Sequence, residues 1–132
     1  MKIGILGGGS CFSLNLAHTC YKRAIEHFGI GRSVPKPEAF WTVGHYYRYH
    51  KLHVVDQLAA IMAVIDTERP DVIVNFAAQG EGAASFAENA PDFFMTNMVA
   101  LVRLVLALQE RPYLKRFVQI GSSEVYGSPS TP

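Results

Sequence analysis

The sequence lacks a charge imbalance, a cysteine framework and a long uninterrupted apolar run. Its 12 Lys and Arg residues nearly balance its 11 Asp and Glu residues, which argues against a nucleic-acid or acidic-membrane partner. It has two cysteines, Cys11 and Cys20, and no signal-peptide pattern, which argues against a disulfide framework and favours the cytoplasm. No apolar stretch reaches the ~20 residues of a membrane-spanning helix, so no membrane partner is expected.

The sequence does contain a strand-turn-helix pattern at its start. An apolar run at 3–6 predicts a buried strand, three consecutive glycines at 7–9 break it, and a helical pattern follows. This arrangement places backbone N–H groups and a helix N-terminus against a phosphate. We therefore expect the opening residues to bind a pyrophosphate.

The rest of the 132-residue chain alternates strands with helices. Hydrophobic spacing predicts helices at 14–27, 58–65 and 92–109, and strands at 28–30, 51–55, 72–76 and 117–120. Residues 33–50 are interpreted as a loop with one short ordered piece. Such alternation is typical of an α/β fold with a doubly wound parallel sheet, here in the order 3-2-1-4-5. Ligands should bind where its strands end, at 7–10, 31–33, Asp56, 77–80 and 121–124.

Several local motifs occur together in one enzyme family. They are LHVVD at 52–56, RPD at 69–71, NFAAQ at 75–79, TNM at 96–98 and FVQIGSSEVYG at 117–127. With them the chain resembles the N-terminal part of the extended short-chain dehydrogenase/reductase family, the NAD-dependent epimerases and dehydratases. The closest likeness is to nucleotide-sugar 4,6-dehydratases, especially those of the GDP-mannose type. The resemblance implies that residues 1–132 form a Rossmann-like domain, truncated before the later strands of a longer enzyme and inactive alone.

The resemblance also implies a nicotinamide dinucleotide cofactor. The residues expected to bind it are Gly7, Gly9, Ser10, Cys11, Phe12, Arg32, Ser33, Asp56, Ala77, Ala78, Gln79 and Asn97. The family's glycine motif reads G-x-x-G-x-x-G, and Ser10 and Ser13 stand at its second and third glycines. Three outcomes are open: a displaced pyrophosphate, a contact between a serine hydroxyl and the phosphate, or a degraded site.

The end of the second strand sets the choice of cofactor. NAD-binding members usually carry an acid there, whereas this chain has Arg32 and Ser33. Arginine can bind a 2′-phosphate through paired hydrogen bonds, so we expect NADP, with NAD as the alternative. A solvated arginine is the interpretation without a ligand. By resemblance, Asp56 faces the adenine amino group, and it is also placed to cap the helix that follows.

The remaining cofactor residues follow the fourth strand. By resemblance, Ala77, Ala78 and Gln79 form the floor under the nicotinamide, because small side chains let a cofactor lie close. Asn97 matches a family asparagine that ties the backbone near the active site. A buried amide with only a structural role is the alternative for Asn97.

The chemistry implied by the resemblance centres on Ser122 and Glu124. The serine hydroxyl would hydrogen-bond the sugar O4 during oxidation at C4. The glutamate would remove the C5 proton, which leads to elimination of water, a lyase reaction. Glu124 favours elimination over epimerisation, although UDP-glucuronate decarboxylases share it, and Ser123 argues against the dTDP-glucose branch. A polar turn without catalytic duty is the alternative.

Two features depart from the family pattern. Residues 80–82 read GEG where the substrate loop usually reads S-H-V, which leaves the sugar open. The catalytic Tyr-x-x-x-Lys pair of a later helix is absent from the 132 residues. The string from Tyr47 to Lys51 falls on the adenine side of the sheet and is interpreted as a coincidence.

Three classes of function remain open. The first is an NADP-dependent nucleotide-sugar dehydratase, with an epimerase or decarboxylase of the same family as its variant and a nucleotide sugar as substrate. The second is a non-catalytic dinucleotide-binding module. The third is nucleic-acid binding through the aromatic and basic stretch 41–51, which the near-neutral charge disfavours. Helix 92–109 is a candidate homodimer contact, and its apolar side is equally natural as core.

Overall fold

The computed structural model describes residues 1–35, 47–80 and 89–122. The strands within these ranges are β1 (Lys2–Leu6), β2 (Glu26–Gly31), β3 (Arg48–Lys51), β4 (Val72–Asn75) and β5 (Arg116–Gln119). They form one parallel sheet in the order β3-β2-β1-β4-β5. The predicted fold class and strand order are therefore confirmed.

Helices cover both faces of the sheet. They are α1 (Cys11–Lys22), α2 (Leu58–Glu68) and a continuous helix, Ala90–Leu108, made of α3 (Ala90–Phe94), a π-helical segment (Met95–Ala100) and α4 (Leu101–Leu108). On one face, α1 packs over a core of Ile3, Ile5, Leu14, Ala17, Cys20 and Tyr47. On the other, α2 and α4 pack over a core of Leu6, Phe28, Ile30, Ile61, Met62, Ile65, Ile73, Leu104 and Leu108. The two-sided cover explains why β4 is apolar without alternation.

Two predicted boundaries are wrong. Helical spacing predicts a helix to residue 27, but α1 ends at Lys22 because Ala24 adopts a left-handed conformation, with φ of 52°. The apolar residues that follow belong to β2. The third strand is predicted at 51–55, but it ends at Lys51, and the Leu52 N–H makes one last bond to the Gly31 carbonyl, at 3.0 Å. Residues 52–57 then leave the sheet.

Helix Ala90–Leu108 is longer and more apolar than the sequence analysis allows. The helix has 19 residues, and an 18-residue window of it has a mean hydropathy of 1.5 with 17% of its residues buried, so length and composition alone would let it cross a membrane. The prediction that no apolar stretch is long enough to span a membrane is wrong. Asp92 and Arg103 interrupt the apolar run, but the mean hydropathy of the helix stays high. One side of the helix nevertheless packs on the sheet through Leu104 and Leu108.

Candidate functional site

A cleft of about 510 Å³ opens at the carboxyl edge of the sheet. The predicted site residues that line it are Gly7, Gly9, Ser10, Cys11, Arg32, Ser33, Ala77, Ala78 and Gln79. Ligands of open parallel sheets bind at this edge, where the connections that leave two neighbouring strands run to opposite faces of the sheet. The fold therefore brings most of the predicted cofactor residues together around one cleft.

Gly7 forms the tightest turn of the cleft. Its φ is +67°, and a Cβ atom there would lie 2.5 Å from the Ala77 nitrogen and 2.7 Å from the Phe76 carbonyl carbon. Only glycine combines this conformation with this backbone approach. The end of β1 can thus lie directly against the backbone that follows β4.

The two serines that replace family glycines fold into the helix start. Ser10 is the N-cap of α1: its Oγ accepts the Ser13 N–H at 3.2 Å and donates to the Ser13 Oγ at 2.9 Å. Ser13 is fully buried, and its hydroxyl donates toward the carbonyl oxygens of Gly7, at 2.9 Å, and Ser10, at 2.8 Å. The two hydroxyls therefore form hydrogen bonds with the backbone of the turn itself, and the cleft beside the turn stays open.

The turn and the start of α1 leave backbone amide groups without a hydrogen-bond partner among the described residues. Among the described residues, no hydrogen-bond acceptor faces the N–H groups of Gly9, Cys11 or Phe12. The first amides of a helix lack an intrahelical partner, and the helix dipole is positive there. The Phe12 side chain is 73% exposed and does not line the cleft, so a contribution from this residue would come from its backbone. Free amides at a helix start suit an anion such as a pyrophosphate.

Arg32 and Ser33 stand directly beyond β2 on the wall of the cleft. Both side chains are exposed, and in the described part of the chain no carboxylate pairs with the Arg32 guanidinium. The Ser33 backbone comes close to the glycine turn, since a Cβ on Gly9 would lie 3.0 Å from the Ser33 carbonyl oxygen. This wall can therefore offer one free positive charge beside the turn.

The wall beyond β3 differs from the prediction. Leu52, His53 and Val54 line the cleft, whereas Asp56 does not, and its Oδ2 is 2.7 Å from the His53 Nδ1. The N-cap of α2 is Gln57, so the interpretation of Asp56 as the cap is wrong. Sequence reasoning misses His53, because it places this residue inside a strand at 51–55, whereas β3 ends at Lys51. The adenine-facing role of Asp56 stays a prediction.

The floor of the cleft is held from below by Asn97. Its Oδ1 accepts the Gln79 N–H at 2.8 Å, and its Nδ2 donates to the Gln79 carbonyl oxygen at 2.9 Å. Asn97 belongs to the π-helical segment, and its neighbour Thr96 reaches the cleft wall. π-Helical turns often occur at functional sites. The position of Asn97 fits both a structural and a functional role.

The buried amide of Asn75 joins the ends of β4 and β5. Asn75 accepts the Ala77 N–H at 3.0 Å and donates to the Gln119 Oε1 at 2.8 Å. Ser122 follows β5 and is exposed. Ser123, Glu124 and the substrate-loop residues 81–82 lie outside the described residues. Of the two predicted catalytic residues, the structure therefore places only Ser122.

Tyr47 does not have the environment of a catalytic tyrosine. It is 6% exposed, and its hydroxyl donates to the Gly8 carbonyl oxygen at 3.1 Å. Burial raises the pKa of the Tyr47 hydroxyl, whereas a catalytic phenolate needs a lowered pKa. This geometry agrees with the interpretation of the Tyr47–Lys51 string as a coincidence.

Comparison with family models gives one match. The model described as the NAD dependent epimerase/dehydratase family matches residues 3–132. A comparison with curated protein sequences finds no match.

Solved structures share the architecture over nearly the whole chain. UDP-glucose-4-epimerase from Stenotrophomonas maltophila, with bound NAD and formylated UDP-arabinopyranose, is 15% identical with a TM-score of 0.85, over 99% of this chain and 40% of that chain. UDP-glucose 4-epimerase from Thermotoga maritima, with UDP-glucose, is 18% identical with a TM-score of 0.84, over 100% and 41%. The dTDP-glucose 4,6-dehydratase of Bacillus anthracis, in complex with NAD, is 22% identical with a TM-score of 0.81, over 100% and 41%. At these identities the likeness shows the fold, and the chain spans about two fifths of the length of these structures.

Proposed function

The chain belongs to the NAD dependent epimerase/dehydratase family, and from that premise we propose that it is the cofactor-binding part of an NADP-dependent nucleotide-sugar 4,6-dehydratase. The observation that carries the proposal is the opening turn. Gly7 lies against the backbone beyond β4, and free amides at the start of α1 lie at a cleft of about 510 Å³. Such a cradle suits a dinucleotide pyrophosphate.

In this proposal, each side of the cleft binds a different part of the dinucleotide. The amides of Gly9, Cys11 and Phe12 bind the pyrophosphate. Arg32 pairs with the 2′-phosphate, because its guanidinium has no carboxylate partner among the described residues and can form paired hydrogen bonds. Ala77 lies under the nicotinamide ring, since its small side chain leaves room for a flat group. When bound, the cofactor supplies a hydride acceptor for the sugar C4 carbon.

The proton chemistry falls to the residues beyond β5. Ser122 orients the sugar C4 hydroxyl by a hydrogen bond. Glu124 removes the C5 proton once C4 is a ketone, because the ketone makes that proton acidic. A base of this kind works best with its pKa near the working pH. This assignment rests on the SSE motif at 122–124.

An epimerase is the second candidate. UDP-glucose 4-epimerases and a dTDP-glucose 4,6-dehydratase match the fold similarly well, with TM-scores of 0.84 and 0.81. Oxidation at C4 is common to the two reactions, and they differ in what happens at C5 and C6. Glu124 supports elimination, because it supplies a base for the C5 proton. If Glu124 has no such role, oxidation at C4 would lead to epimerisation at C4 instead.

Calorimetry with NADPH and NADH, followed by product analysis with GDP-mannose, tests the proposal. We expect tighter binding of NADPH than of NADH, and a 4-keto-6-deoxy product from the full-length protein. The Glu124→Gln variant should retain NADPH binding and lose elimination. A C4 epimer would favour the second candidate. Cofactor binding without any sugar product would indicate a non-catalytic module, and no heat with either dinucleotide would overturn the proposal.

A further inference from the structure

Two tyrosines, Tyr47 just before β3 and Tyr49 within it, place their hydroxyls at the glycine turn and the end of β2. Tyr47 and Tyr49 are two residues apart, so they share one face of the sheet, and that face is the one covered by α1. Their ring centroids are 5.7 Å apart. The Tyr47 ring belongs to the core under α1, and the Tyr49 ring packs against that core. Each hydroxyl donates to a backbone carbonyl at the carboxyl edge, Tyr47 to Gly8 and Tyr49 to Ser33.

The Tyr49 hydroxyl lies where three segments meet. It donates to the Ser33 carbonyl oxygen at 2.7 Å. A Cβ on Gly9 would lie 3.3 Å from it, and a Cβ on Gly31 would overlap it. The same oxygen thus contacts the end of β2, the glycine turn and the backbone directly after Arg32. These glycines leave the space that the hydroxyl fills.

We propose that Tyr49 is a positioning residue for cofactor selectivity. Its hydroxyl fixes the Ser33 carbonyl and so holds residues 32–35, the Arg32 loop, beside the glycine turn. The proposal rests on the proposed function, since it assumes that a dinucleotide binds in the cleft. Arg32 and Ser33 are both exposed and lie just beyond the end of β2. The hydrogen bond from Tyr49 therefore sets where the guanidinium can meet a 2′-phosphate.

Tyr47 acts on a different segment and provides the contrast. Its buried hydroxyl donates to the Gly8 carbonyl oxygen at 3.1 Å, whereas the Tyr49 hydroxyl donates to that of Ser33. Burial raises the pKa of the Tyr47 and Tyr49 hydroxyls, so both remain protonated donors at neutral pH. Loss of the Tyr47 hydroxyl should disturb the pyrophosphate turn, which serves NADPH and NADH equally.

The test compares Tyr49→Phe with Tyr47→Phe in the full-length protein. Dissociation constants for NADPH and NADH are measured by calorimetry, and backbone hydrogen exchange is measured at residues 31–35 without cofactor. For Tyr49→Phe we expect the NADPH preference to fall about fivefold, the size of one net hydrogen bond, with faster exchange at 31–35. For Tyr47→Phe we expect weaker binding of both dinucleotides with their ratio unchanged. Tyr113→Phe, which loses a hydroxyl bond to Asp66 far from the cleft, should change neither.

Gly31→Ala is a second variant, since its added Cβ would displace the same hydroxyl. It should lower the preference for NADPH over NADH as Tyr49→Phe does. If one of the two variants folds poorly, the other still tests the proposal. An unchanged ratio together with unchanged exchange in Tyr49→Phe would overturn the proposal while leaving dinucleotide binding intact. A wild-type protein that binds neither dinucleotide would overturn the proposed function and the selectivity role together, so the two failures are distinguishable.

Discussion

At the scale of single residues, Gly7 is the position with the least freedom. Alanine there would take a left-handed conformation, which costs roughly 1–2 kcal/mol for a residue with a side chain, and its Cβ would lie 2.5 Å from the Ala77 nitrogen. We therefore expect Gly7→Ala to lower the free energy of unfolding and to weaken dinucleotide binding more than tenfold. Urea unfolding and calorimetry measure the two effects.

Gly80→Ala is the matched control for that substitution. It lies in the segment that follows β4, and a Cβ there would meet no atom of the described residues within 4 Å. Binding and stability should stay close to wild type. If Gly7→Ala behaved like this control, the turn would have more room than its backbone geometry indicates, and the pyrophosphate cradle would lose its main support.

Single residues also show where sequence reasoning stops. The residue types of Ser10 and Ser13 indicate a helix start, but not the direction of their hydroxyls. That direction depends on the carbonyl oxygens of Gly7 and Ser10, which the folded turn brings within 2.9 Å of the Ser13 Oγ. The same limit explains why His53 is missed. A histidine becomes a cleft residue only through the course of the chain after β3.

At the scale of elements, an exposed ionic network joins α2 to the connection between α4 and β5. Asp66 on α2 accepts hydrogen bonds from Arg111 at 3.1 and 3.0 Å, and from the Tyr113 hydroxyl at 2.6 Å. These bonds lower the pKa of Asp66 to about 2 and, together with burial, raise that of Tyr113 to about 12. The network therefore stabilises the fold only while Asp66 is ionised.

This network predicts a pH dependence of stability. An unfolded aspartate titrates near about 3.9, so the contribution of Asp66 is complete above that pH and is lost as the pH falls toward 2. Because the Asp66 side chain is 44% exposed, we expect Asp66→Asn to cost at most about 1 kcal/mol at pH 6. The variant should differ less from wild type at pH 2.5, as measured by urea unfolding at both pH values.

Asp71 also has a lowered pKa, through its hydrogen bond from Lys115 and the Lys2 N–H. Some acid sensitivity should therefore remain in Asp66→Asn. Asp92→Asn, at the start of α3, is the control and should lack the effect of Asp66→Asn at pH 6. An equal loss of stability in Asp66→Asn at both pH values would contradict the ionic origin of the contribution.

Elements differ in how well the sequence predicts them. The unbroken apolar run of β4 and the strand-glycine-helix start are local patterns, and both are found close to where they are predicted. The end of α1 has no such signal, because Ala24 and Ile25 continue the helical spacing while the chain turns into β2. The π-helical segment Met95–Ala100 is also invisible to periodicity. It holds Asn97, whose two bonds to Gln79 form only when the helix packs beside β4.

At the scale of the whole molecule, the main unexplained surface is the outer side of helix Ala90–Leu108. Phe94, Met98, Val102 and Leu106 recur every four residues, and each is more than half exposed. The opposite side packs on the sheet through Leu104 and Leu108. An apolar stripe on one side of a helix whose other side packs on the sheet suits a protein contact. We expect a second copy of the chain to cover it.

A lysine in this stripe should prevent that contact. Val102 is 56% exposed, so Val102→Lys should leave the fold and dinucleotide binding unchanged in the isolated chain while a charge in the contact destabilises the dimer. Ala63→Lys, at an exposed position of α2, is the control for an added charge. Sedimentation should show wild type and Ala63→Lys as dimers and Val102→Lys as a monomer. A wild-type monomer at every concentration would contradict the expected dimer contact.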